Sequence, residues 1–248
     1  MIQLPTEPKV VSKTGNKAVF EIAPLYPGYG TTIGNVLRRV LISSIEGAAV
    51  TSAKIKGVDH EFSSIPGVRE DIIELIVNLK KIRFKLFGEE PVTLTISSKG
   101  SGAVTASDIA GNADVEVINP KQHIATLTDK KKDLEIEIRV EKGVGYVPVE
   151  QRQKEKLTVG EIAIDGIFTP IRTVNYAVEN IRVGQRTDYN KVLLDVETDG
   201  SISPEETVKK ASQIIIDHFQ AIITVNVPVA TAKPAKATKE KRVRKKKE

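Results

Sequence analysis

The 248-residue chain contains no cysteine, so neither disulfides nor thiolate metal sites are open to it, and a reducing compartment suits it. No run approaches the ~20 apolar residues that span a bilayer. The first 20 residues hold no uninterrupted apolar stretch of the signal-peptide kind. These absences predict a soluble, cytoplasmic protein that does not meet a membrane. Histidine is scarce too: His60, His123 and His218 stand in unrelated contexts, and none has a second ligand at metal spacing. No P-loop occurs, and no nucleophile sits in a recognised elbow. Acidic pairs such as Glu89-Glu90 and Glu205-Glu206 read as turn and helix-start charges. The expectation is a chain without a catalytic site, a metal or a cofactor of its own.

What the chain does have is enough apolar side chain, 40% of its residues, to bury one large core or two smaller ones. Its net charge of +5 is unevenly spread. Residues 228–248 carry nine Lys or Arg against two Glu, a net of +7, while the remainder holds 28 basic and 30 acidic residues, a net of −2. The body is therefore not basic. The Pro/Ala/Lys composition of 228–248 cannot repay the entropy of ordering and predicts a disordered tail. Lys241, Arg242, Arg244, Lys245, Lys246 and Lys247 are its candidate phosphate contacts, with steep salt dependence as their signature. A solubilising segment that does no more than stay solvated is the alternative.

The most informative segment runs from Pro27 to Ser44. With Thr31 or Thr32 as N-cap, Ile33, Val36, Leu37, Val40, Leu41 and Ile45 recur at helical three-and-four spacing. Asn35, Arg38, Arg39, Ile42 and Glu46 fall on the opposite side. A lone surface isoleucine is ordinary, but one within a turn of two arginines asks for a partner. The glycines at 28, 30 and 34 do not make a dinucleotide fingerprint. That fingerprint needs a buried apolar strand upstream, and the segment from Phe20 to Pro27 alternates and is interrupted twice by proline.

Elsewhere the pattern is mixed α and β. Leu134 to Glu141 alternates cleanly, and Val92 to Ile96, Val115 to Ile118 and Lys191 to Glu197 do so more weakly. A second helix is expected from about Pro66 to Lys80, with Val68, Ile72, Ile73, Ile76 and Leu79 inward and charges that suit its dipole. A third begins at the capping box Ser203-Pro204-Glu205-Glu206 and continues to about Val225. Val208, Ala211, Ile215, Phe219 and Ile222 form one line on it, and Ile214, Ile216, Ala221 and Ile223 spread onto neighbouring faces. Such a helix needs cover on more than one side, from its own domain or from a second subunit.

Five linked stretches in register carry a resemblance. They are Gly28 to Ser44; Gly67-Val68-Arg69-Glu70-Asp71-Ile72 with Asn78-Leu79-Lys80; Gly143-Val144-Gly145-Tyr146-Val147-Pro148; Gln185-Arg186-Thr187-Asp188; and Glu197-Thr198-Asp199-Gly200 with Pro204-Glu205-Glu206. Across about residues 1–227 the chain closely resembles the alpha subunit of bacterial DNA-directed RNA polymerase. The resemblance implies an α+β fold: a discontinuous dimerisation domain of 1–46 and 172–227, an inserted β-rich domain of 47–171, and the basic tail of 228–248. It implies a homodimer packed through the first and last helices, with Ile33, Leu37, Val40, Leu41, Ile215, Phe219 and Ile222 at the interface.

It further implies that one copy grips the beta subunit through Arg38, Arg39 and Ile42, and the other grips beta-prime through Lys80, Ile164 and Ile171. Omega, sigma and DNA are then reached mainly through the complex, in the cytoplasm and on the nucleoid. Nucleotidyl transfer and its magnesium ions belong to the large subunits, which leaves this chain as scaffold. Family members typically continue into a carboxy-terminal domain that binds upstream promoter DNA, whereas this sequence stops after Lys247-Glu248, so promoter-element recognition of that kind is not expected. A stand-alone dimeric nucleic-acid-binding protein acting through its tail is the alternative, and the acidic body counts against it.

Overall fold

Alternating apolar side chains set much of this chain into antiparallel sheet, and the computed structural model, which describes residues 2–152, 158 and 160–223, is α+β. The first elements are β1 (Lys9–Thr14), β2 (Lys17–Leu25), α1 (Tyr29–Ser44) and β3 (Glu46–Ile55). The middle of the chain contributes α2 (Ile72–Lys80), β4 (Phe84–Leu86), β5 (Val92–Lys99), β6 (Gly102–Thr105), β7 (Val115–Val117), β8 (His123–Leu127), β9 (Asp133–Val144), β10 (Tyr146–Val147), α3 (Val149–Arg152), β11 (Glu161–Ala163) and β12 (Gly166–Ile167). The last elements are β13 (Ile171–Val183), β14 (Arg186–Thr198) and α4 (Pro204–Ile223).

Strands from both parts of the chain share one antiparallel sheet in the order β1-β2-β14-β13. Ala18, Phe20 and Ile22 of β2 and Val192, Leu194 and Val196 of β14 are buried, and the period of two puts all six on one face. α1 and α4 pack on that face, where Leu37, Leu41, Val208 and Ala211 complete the core. The other face is charged, with Lys17 paired to Asp195 at 3.0 Å and Lys191 to Glu179 at 2.7 Å. A slip of one residue would exchange the two faces, so the register is strongly specified.

The middle of the chain builds a second, larger core. Its sheet runs β5-β9-β3-β4-β7, with β11 also pairing β3. β3 lies inside it, and every residue from Ala48 to Ala53 is buried, which suits a strand of mostly small side chains covered on both faces. The alternation in β9 buries Leu134, Ile136, Ile138 and Val140 in the same cluster as Ile72, Leu75 and Leu79 of α2. The two cores join where β3 follows α1 almost directly. There Phe168 is buried with its ring over Gly143, and an added Cβ at Gly143 would lie 2.7 Å from that ring. Only glycine leaves room for this approach.

Three details depart from the sequence expectation. Thr31 and Thr32 do not cap α1; both are exposed within its first turn. The cap position is Gly28, at φ 86°, and the acceptor comes from across the sheet. Asn190 Oδ1 accepts the Gly28 N–H at 2.8 Å and the Gly30 N–H at 3.3 Å. α2 begins at Ile72 and not at Pro66, because the Asp71 carboxylate accepts the Glu74 N–H at 2.7 Å and caps the helix there. Glu70 just before it is buried, accepting from the Thr126 N–H at 2.6 Å and the Thr126 hydroxyl at 2.9 Å. With this start Leu75 points into the core and Ile73, expected inward, is 48% exposed.

α4 begins as its capping box predicts, Ser203 Oγ accepting the Glu206 N–H at 3.2 Å with Pro204 at the first position. The predicted last helical residues, 224 and 225, lie outside the described residues, as does the whole of 228–248 with its candidate phosphate contacts.

Candidate assembly surface

α1 keeps two distinct faces. Gly34, Leu37 and Leu41 are buried, and Asn35, Arg38, Arg39 and Ile42 are exposed. Gly34 brings the helix close to β13, where an added Cβ would stand 2.6 Å from the Tyr176 ring. The two arginines are not equivalent. Arg38 Nε donates to the Val174 carbonyl at 3.3 Å and is tied to β13. The Arg39 guanidinium has no hydrogen-bond or ion-pair partner among the described residues, and Ile42, one turn along, is 42% exposed. An unpaired planar cation beside a branched hydrophobe is the composition of an interface anchor.

α4 changes environment halfway along. Its line of Val208, Ala211, Ile215, Phe219 and Ile222 starts inside the core, where Val208 and Ala211 are buried and Ile215 is half-buried. From Ile216 to Ile223 every residue is exposed. At about 1.5 Å per residue this length projects about 12 Å beyond its own support. Phe219 at 57%, Ile222 at 60% and Ile223 at 80% exposure leave a continuous apolar stripe in water. Ile216 and Ile223, read from the sequence as lying on neighbouring faces, belong to this stripe because they flank Phe219 at three and four residues.

Burial divides the expected contact residues into two groups. Leu37 and Leu41 are 6% and 0% exposed within the chain's own core, so they support α1 from beneath and offer no surface to a second subunit. Ile33 and Val40 are half-buried at the edge of that core, as is Ile214. Ile164 and Ile171 are 1% and 8% exposed, one in each core, and neither side chain reaches the surface.

Lys80 is half-exposed, and its Nζ donates to Asp165 Oδ2 at 2.9 Å. The Val149 N–H donates to the other oxygen of Asp165 at 3.1 Å. The Lys80 hydrogen bond leads in holding the Asp165 carboxyl below its ordinary value, against the opposing effect of burial. Lys80 is thus a cation fixed in place by its own insert unit.

The histidines serve local structure. His123 Nε2 lies 2.9 Å from Glu70, and His218 Nδ1 lies 2.7 Å from the Ile214 carbonyl. Among the described residues no group of three or more His, Cys, Asp or Glu is placed to hold a metal, and no helix is long and apolar enough to cross a membrane.

These features define the class: an α+β chain whose distinctive surfaces are exposed helix faces beside a sheet-rich middle. Residues 53–169 match the model of the RNA polymerase Rpb3/RpoA insert domain. The DNA-directed RNA polymerase subunit alpha of Roseiflexus sp. (strain RS-1) is 46% identical over 92% of this chain and 70% of its own length. That of Alkaliphilus oremlandii is 48% identical over 91% of this chain and 72% of its own length. The Moorella thermoacetica subunit is 52% identical, over 82% and 65% respectively. The chain belongs to the DNA-directed RNA polymerase alpha-subunit family.

Proposed function

We propose that this chain forms a homodimer through α4 and the adjoining edge of α1, and that the dimer scaffolds a DNA-directed RNA polymerase. In this reading residues 1–46 and 172–227 form the dimerisation domain and 47–171 the insert. One copy presents Arg39 and Ile42 to the beta subunit, and the other presents Lys80 to beta-prime. Arg38, bound to β13, orients the anchor more than it grips a partner. Catalysis, with its metal ions, resides in the large chains, and this chain contributes no cofactor. Omega, sigma and DNA are engaged through the assembly, in the cytoplasm. The net-negative body and the family membership weigh against a stand-alone nucleic-acid-binding protein.

The observation that carries the dimer is the stripe of α4 that runs past its own core. Each large apolar side chain covered there contributes about 1.5 to 3 kcal/mol, and a two-fold contact covers every one twice. Phe219→Ser with Ile222→Ser should give monomers or aggregates by light scattering; an unchanged dimer mass would contradict the reading. Arg39→Ala should keep the dimer and weaken beta capture by ~2 kcal/mol, as a central anchor does. A pull-down with undiminished beta recovery would count against it.

A further inference from the structure

The turn that joins β9 to β10 stands beside the α1 anchor. Val144 pairs with Glu46 across the β3 and β9 ladder, which places it next to the residue that follows α1's last turn. Gly145 follows at φ 67°, a backbone conformation that favours glycine. Its Cα faces the carbonyl of Ser43, from which an added Cβ would stand 3.6 Å, so the turn lies directly against the end of α1. The turn is firmly held. The Gly145 carbonyl accepts from the N–H groups of Phe168 at 2.9 Å and Thr169 at 3.3 Å.

On this rigid base the turn nevertheless exposes apolar surface. Val144 is 41% and Tyr146 60% exposed, on a turn set against the last turn of the helix that carries Ile42, itself 42% exposed. A tyrosine offers a large contact area at low cost in side-chain entropy, and tyrosine is enriched among the residues that dominate interface energy. On the same helix as Ile42, the Arg39 guanidinium has no hydrogen-bond or ion-pair partner among the described residues, so the surface combines apolar groups with one unanswered positive charge.

We infer that the Val144-Gly145-Tyr146 turn is part of the surface that takes the beta subunit, extending the Arg39 and Ile42 anchor from α1 onto the insert unit. The inference rests on the reading that beta docks at Arg39 and Ile42. The occupant is a segment of the beta subunit with an apolar side chain for Ile42, Val144 and Tyr146 and a carboxylate or carbonyl for Arg39. Because two units build this surface, docking senses their relative placement. A chain whose insert is displaced loses beta without losing its dimer.

The test uses the full chain co-expressed with its beta subunit. Val144→Ser with Tyr146→Ser should retain the dimer mass and lower beta recovery by about tenfold or more at matched concentration. Phe62→Ser, which alters an aromatic 79% exposed on another loop, should leave recovery unchanged. If Arg39→Ala lowers recovery while the turn variant keeps it, the inference alone is overturned. If both keep it, the docking reading falls and takes the inference with it. An independent arm replaces Tyr146 with the photo-cross-linker p-benzoylphenylalanine in the assembled polymerase. An adduct with beta is the expected product; adducts with beta-prime alone, or none, overturn the assignment.

Discussion

Asn190→Ala tests whether α1 is capped from β14, a strand of the sheet on which it packs. Asn190 is 7% exposed, its Oδ1 accepts the N–H groups of Gly28, the cap position of α1, and of Gly30, and its Nδ2 donates to Asn180 Oδ1 at 3.0 Å. Truncation removes a helix cap, at about 1 kcal/mol, and leaves a second donor at the buried Gly30 without its acceptor, at about 1 to 3 kcal/mol. The expected loss is about 2 to 4 kcal/mol. Asn190→Asp keeps the acceptor and adds negative charge at the helix N-terminus, so it should lose less once the Asn180 amide turns to donate to the new carboxylate. Thr31→Ala and Thr32→Ala, at the positions that look like caps in the sequence, should stay within about 0.5 kcal/mol. Urea unfolding at one fixed protein concentration is the assay, since the proposed self-association would make stability concentration-dependent. A loss under about 0.5 kcal/mol for Asn190→Ala, or a larger one for either threonine, would refute the cross-sheet cap.

Gly34→Ala should destabilise although alanine is the better helix former. The gain of about 1 kcal/mol in helix preference is offset by about 1 to 3 kcal/mol of overpacking, because the new Cβ would meet the Tyr176 ring at 2.6 Å. A higher melting temperature would contradict this. Glu70 makes stability pH-dependent. Burial pushes its carboxyl up, but hydrogen bonds from His123 and Thr126 together outweigh burial and leave it below the ordinary 4.5. A carboxyl depressed on folding contributes stability above its unfolded value and loses it as pH falls through the folded one. The wild type should therefore lose stability below pH 4.5, and Glu70→Gln should flatten that part of the curve. Parallel curves for the two proteins between about pH 3 and 6 would be the contrary result.

Local periodicity made much of this fold legible. The inward Leu37 and Leu41, the outward Arg39 and Ile42, the alternation of β9 and the start of α4 all follow from spacing within a few residues. What was not legible depends on distant partners. Asn190 and the helix start it caps are 160 residues apart in sequence, so no short pattern reports their meeting. Val68, Ile72 and Ile76 have helical spacing, yet Val68 bridges to Leu127 in the insert and Asp71 starts the helix behind it. Arg38 and Arg39 are neighbours of one type, and only the position of the Val174 carbonyl separates the bound one from the free one. Ile164 lies between two strands too short to show an alternation that would announce its burial.

α4 brings the two kinds of information together. Its apolar line is uniform from Val208 to Ile222, and nothing in the spacing marks where the chain's own core stops. The sheet sets that limit: its buried face meets Val208 and Ala211 and has nothing left to meet beyond Ile215. Hydrophobic periodicity therefore predicts that a surface must be covered, and the extent of the fold decides which part a single chain leaves uncovered. Phe219, Ile222 and Ile223 fall on the uncovered side, where lone exposure wastes about 1.5 to 3 kcal/mol for each large side chain, which the proposed second copy would recover.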